Sequence, residues 1–127
     1  MKRPEIKTID FQSAVSKEEK FQNETLRPVI KMKHDLLMHY MRNYLKTKKV
    51  DFREFSEEKR IKYISTAFGK DAKLNSEIRG MIMGNFTEEE FKNLNELGNN
   101  FRKRIIQIVK ERVLTNLHEF DSIGIVS

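Results

Sequence analysis

The sequence predicts an all-α fold, and three observations carry that prediction. Apolar residues recur at helical intervals over most of the chain rather than alternating as they would along strands. Helix-start signals, a Ser, Thr or Asp just ahead of an apolar periodic run, recur along the sequence. No hairpin dipeptide such as Asn-Gly and no alternating run of β-branched residues interrupts them. The expected architecture is an elongated bundle of about four helices. Two are long, over 17–47 and 88–120, and two are short, over 57–68 and 71–83. At 127 residues the chain suits a single domain, here 16–120, with an N-terminal arm over 1–15 and a tail over 121–127.

Each element has a local reason. Pro4 blocks an early helix, and the Ile6, Ile9, Phe11 spacing suits an arm docked on the body. Ser16 and Glu19 make a capping box that opens the first helix. Its apolar set is Phe21, Leu26, Val29, Ile30, Met32, Leu36, Leu37, Tyr40, Met41, Tyr44 and Leu45, at helical spacing. Pro28 lies inside this run and removes one backbone bond, so a kink or a helix break is expected there. Residues 46–55 form a connector anchored by Val50, Phe52 and Phe55. Ser56 caps the next helix, with Glu57 and Glu58 in its first turn and Gly69 expected just past its end. Asp71 starts the third helix, and Gly84-Asn85 ends it. Thr87 and Glu90 form a second capping box, and Phe86 and Phe91 have the spacing of a hydrophobic staple. Gly98-Asn99-Asn100 are poor helix formers and are expected to bend or interrupt the last helix.

Length and stripe width then bear on assembly. An unbroken helix over 17–47 would be ~46 Å long and one over 88–120 ~50 Å, against a diameter of roughly 36 Å for a compact chain of this size. The apolar stripe Leu97, Phe101, Ile105, Ile106, Val109, Val113 and Leu117 spans about 200° of the helix wheel, wide enough for two neighbours. A homodimer is the expected assembly.

Composition excludes several chemistries. With no Cys there is no disulfide framework, thiolate zinc site, iron–sulfur cluster or cysteine nucleophile. The N-terminus has no apolar run of the secretory kind, and no stretch approaches ~20 apolar residues, which points to a cytoplasmic protein rather than a membrane one. There is no Gly-rich phosphate loop with its Lys-Ser/Thr, no Gly-x-Ser-x-Gly elbow and no Glu-x-x-His pair. His34 and His39 are five apart and point ~140° away from each other on a helix, so they make no same-face metal pair. No metal or cofactor is implied.

Charge leaves two candidate sites. The chain holds 25 Lys and Arg against 19 Asp and Glu, and the whole excess of six lies within residues 1–50. Arg42 with Lys46, Lys48 and Lys49 forms a basic cluster able to grip phosphates of a nucleic acid. Lys33 and Arg112 each interrupt an apolar arc. If their helices pack side by side, they make a cationic pocket for a carboxylate or phosphate, with Tyr40 and Tyr44 as hydroxyl donors.

Three segments also resemble a known group. TLRPVIKMKHDLL (25–37), IRGMIMGNFTEEEF (78–91) and RKRIIQIVKERV (102–113) together resemble a family of short, uncharacterised bacterial helical proteins, over most of residues 8–117. Members sometimes carry the label glyoxalase. That label implies a βαβββ fold with paired His and Glu metal ligands. Neither the strands nor the ligand set is visible in this sequence, so no functional residue is carried across. The expected function is a non-catalytic interaction or regulatory module. A nucleic-acid-associated accessory protein using the basic N-terminal half is one alternative. A small anionic-ligand binder, or an enzyme of the glyoxalase-labelled family, is the other.

Overall fold

The computed structural model describes residues 17–121, and among them there are helices, turns and loops but no strand. The arm, the Ser16 cap and the tail beyond Asp121 lie outside the described residues. Among the described residues six α-helices are bounded, rather than about four in all. They are α1 (Arg27–Met32), α2 (His34–Thr47), α3 (Glu57–Lys70), α4 (Ala72–Met83), α5 (Glu88–Leu97) and α6 (Asn99–Leu114). Short 3-10 turns lie at Phe52–Glu54 and Leu117–Phe120.

The extra helices come from breaks in both expected rods. In the first, Pro28 does not itself make the break. Residues 17–21 are helical and lead into a π-turn at Gln22–Leu26, where the Arg27 N–H reaches back to the Gln22 carbonyl. Pro28 sits in the first turn of α1, and because Leu26 and Arg27 are themselves helical its missing N–H leaves a gap in the backbone ladder beside the π-turn without ending the helix. The π-turn has a packing reason. Phe21 and Leu26 are both buried, yet residues five apart point ~140° from each other in an α-helix. The wider i→i+5 turn brings them to one face. The break falls instead at Lys33, whose φ −96° and ψ 16° separate α1 from α2.

The second rod stops at Gly98, with φ 95° and ψ 170°, a region essentially confined to glycine. Without continuous rods, α2 is ~21 Å long and α6 ~24 Å. Both are shorter than a compact diameter, so helix length no longer calls for an elongated bundle.

Local caps match the sequence in most places. The Ser56 hydroxyl accepts from the Lys59 N–H, the Asp71 carboxylate from the Leu74 N–H, and the Thr87–Glu90 box is closed in both directions. Gly69 lies inside α3 rather than beyond it. The helix runs on to Lys70, and Asp71 alone separates it from α4. The staple also differs: Phe86 packs edge-on to Phe21, while Phe91 is exposed with the Arg102 guanidinium over its ring. At the end of α2 the Val50 N–H bonds to the Leu45 carbonyl and the Lys49 N–H to the Lys46 carbonyl. That is a Schellman cap with Lys49, at φ 59°, where glycine is usual.

The core is built around α6, which packs against α3, α4 and α5. Phe101, Ile105, Ile106, Ile108, Val109, Val113 and Leu117 are all buried within one copy of the chain. Apart from Leu97, which is partly buried, the broad stripe is therefore covered within one copy of the chain. Two aromatic groups close the ends. Phe21 pins the helical stretch 17–21 to Phe86 and Phe101, and Phe52 packs edge-on to Phe120 and Tyr63. No helix among the described residues is long and apolar enough to cross a membrane.

Candidate functional site

A groove of 690 Å³ lies between the π-turn with α1 on one side and α6 on the other. Its position follows from helical register. Asn23, Arg27 and Lys31 recur at four-residue steps on one side, and Ile108, Glu111, Arg112 and Thr115 share a face of α6 on the other. The buried Ile30 and Ile108 form an apolar floor. Arg27, Lys31 and Arg112 bring three cations to the rim against the single carboxylate of Glu111. Arg27 and Lys31 make no ion pair among the described residues.

The walls are tied together by side chains of the π-turn. Arg104 of α6 donates from Nε to the Gln22 side-chain oxygen at 2.7 Å. The buried Thr25 donates its hydroxyl to Glu90 at 3.3 Å, and the other oxygen of that carboxylate accepts the Thr87 N–H. The π-turn is thus held to α6 by Gln22 and to the α5 cap by Thr25.

Arg112 is also held from behind. Its Nη1 lies 3.0 Å from His34 Nδ1, and His34 Nε2 lies 2.7 Å from Glu119 Oε2. A guanidinium only donates, so Nδ1 accepts and Nε2 carries the ring proton, which it donates to the carboxylate. Arg42 closes the chain, with Nη2 at 3.6 Å from the other Glu119 oxygen and Nε donating to the Glu119 backbone carbonyl at 3.4 Å. His34 and Glu119 are about three-quarters buried, with side-chain exposures of 21% and 25%.

The structure divides the residues singled out in the sequence. Of Lys33, Tyr40, Tyr44 and Arg112, only Arg112 lines this groove. Lys33 is half-buried at the α1–α2 break. Tyr40 and Tyr44 line a separate 190 Å³ groove beside α4, where their hydroxyls donate to Glu77 and to Asp71 respectively. Burial raises both phenol pKa values, and the carboxylate acceptors add to the effect. Each hydroxyl proton is already engaged within the fold. The basic cluster is divided as well. Arg42 is spent on Glu119, whereas Lys46, Lys48 and Lys49 surround the C-terminal end of α2, where the helix dipole favours cations. Lys48 lies over the Tyr44 ring, 5.6 Å from its centroid.

Arg27, Lys31, His34 and Glu119 were not singled out. The i, i+4 spacing of Arg27 and Lys31 beside Asn23 was a readable signal. His34 gave none, because its partners lie 78 and 85 residues away. Among the described residues no group of three or more His, Asp or Glu side chains is placed to hold a metal ion. No protein-family model matches this chain, no curated protein matches it, and no solved structure matches it.

Proposed function

We propose that this chain is a non-catalytic binding module whose working surface is the α1–α6 groove, and that its partner presents an anionic group there. The observation that carries this reading is the convergence of Arg27, Lys31 and Arg112 on one groove with an apolar floor. Charged groups of one sign lining a cleft focus the field on an incoming counter-charge. Guanidinium groups suit holding an oxyanion and do not exchange protons near neutral pH, which favours binding over acid–base chemistry. The π-turn adds support, since such turns occur frequently at functional sites.

The test is calorimetric titration with inorganic pyrophosphate at low ionic strength. The wild-type chain is expected to bind, with affinity falling as salt rises. A double Arg27→Ala, Lys31→Ala variant, altered only at exposed positions, is expected to lose at least about tenfold in affinity. No binding by the wild type, or equal binding by the variant, overturns the proposal. If a short single-stranded oligonucleotide binds far more tightly than pyrophosphate and loses that advantage in Lys46→Ala, Lys48→Ala, the nucleic-acid reading replaces it.

A further inference from the structure

We infer that His34 is a positioning residue for this groove, holding Arg112 so that its guanidinium receives a phosphate group of the ligand. The inference rests on the groove reading above and adds both a ligand class and a residue that need not touch the ligand.

The ligand class follows from charge. Arg27, Lys31 and Arg112 against Glu111 leave a formal excess of two positive charges around one groove. A phosphate monoester carries about −1.5 to −2 near neutral pH, which matches that excess, whereas a single carboxylate does not. Asn23 on the same lining offers a neutral amide donor for a remaining oxygen, whereas the Thr115 hydroxyl and the Asn116 amide already donate to the Arg112 carbonyl.

The role of His34 follows from which atoms are engaged. Arg112 spends Nη1 on His34 Nδ1, and among the described residues no partner is found for its Nε and Nη2. Those two nitrogens form the edge that grips two oxygens of one oxyanion in a parallel pair of bonds. The imidazole can hold Arg112 because it is itself gripped at Nε2 by Glu119, and Glu119 is held by Arg42. The Asn116 side-chain amide donates to the Arg112 carbonyl at 2.7 Å, which steadies the backbone on the same turn. The groove thus receives a side chain whose rotamer is set before the ligand arrives, and affinity gains from freedom already removed.

The test pairs two substitutions. His34→Leu removes both ring contacts. His34→Gln keeps an acceptor for Arg112 and a donor for Glu119. In pyrophosphate titrations, His34→Leu is expected to weaken binding about tenfold, and His34→Gln to recover most of that loss. Wild-type affinity in His34→Leu, with the Arg27→Ala, Lys31→Ala variant still defective, overturns the role of His34 and leaves the groove reading standing. Equal weakness in the Leu and Gln variants also overturns it, because the position would then matter only for packing. Absence of any wild-type binding overturns both. Nitrogen-15 spectra of the wild-type histidines supply a readout independent of folding. His34 is expected as the Nε2–H tautomer, with an Nδ1 shift that moves when pyrophosphate is added. An unmoved Nδ1 at saturating pyrophosphate overturns the inference.

Discussion

One substitution made at three glycines should change stability in opposite directions. Gly98, between α5 and α6, has φ 95° and ψ 170°, and a Cβ placed there would meet no atom within 4 Å. The cost of Gly98→Ala is therefore purely conformational. Holding an L-residue in that region costs about 1–3 kcal/mol. Against this, alanine restricts the unfolded chain and recovers about 0.4–1 kcal/mol. The expected net effect is a loss centred on ~1.3 kcal/mol and at most ~2.6 kcal/mol. Gly69 and Gly80 lie inside α3 and α4, have no positive φ, and leave open space for an added methyl group. Alanine at either should stabilise by about 0.5–1 kcal/mol, the ordinary helix-interior difference. Urea unfolding followed by circular dichroism at about 222 nm reads all three, with an unchanged m-value showing that only stability has moved. If Gly98→Ala is as stable as the parent or gains helical signal, the break at Gly98 is not enforced by its dihedral angles. A continuous rod over 88–120 would then describe the chain better.

Other expectations follow from single contacts. Lys49→Gly should stabilise the protein by about 0.5–1 kcal/mol, since it relieves a left-handed non-glycine residue in the α2 cap, and an unchanged urea midpoint would contradict that. Thr25→Val keeps the buried shape but removes the hydroxyl bond to Glu90. It should cost about 1 kcal/mol, and a neutral result would mean that bond is idle. Tyr40, Tyr44 and Tyr63 all have raised phenol pKa values, in each case first through burial, and they are the protein's 3 tyrosines. Their stabilising contribution is fully present below the unfolded phenol value of about 10 and is lost as pH rises through the folded values. The phenolate absorbance step near ~295 nm should therefore fall at higher pH in the native protein than in the urea-unfolded chain, and coincident steps would refute it. Asp71 has the opposite sign. Its carboxyl is held below the usual range by the Leu74 N–H and the Tyr44 hydroxyl. Its contribution is present above the unfolded carboxyl pKa of about 4 and fades as pH falls through the folded value. The stability difference between the parent and Asp71→Ala should therefore shrink on acidification below about pH 4, and a difference that stays constant in urea titrations would contradict it.

The all-helical class, the Ser56, Asp71 and Thr87 caps and most core positions of α6 were legible in the sequence. Capping and apolar periodicity act over about three to eight residues, and such short-range rules can be read without knowing the fold. Gly98 was legible as a weak point for the same reason. The groove was only partly legible. Arg112 stood out because it interrupts an apolar arc, but Arg27, Lys31 and His34 did not. Tyr40 and Tyr44 lie apart from Arg112, which a helix wheel could not show, because it gives direction around an axis and says nothing of what lies opposite. Their acceptors, Glu77 and Asp71, belong to α4 and its cap.

By itself the sequence determined that the chain winds into helices, where several of them start, and which faces are apolar. Each is a property of neighbouring residues along the backbone. Only the tertiary structure decided that the first rod breaks at Lys33 rather than Pro28, and that a π-turn lies beside Phe21, whose ring packs on Phe86 and Phe101 far along the chain. It alone brought Arg112 to His34 and Glu119 and joined Arg27, Lys31 and Arg112 around one groove. The His34 pairings span 78 and 85 residues of chain, and only packing selects partners so far apart.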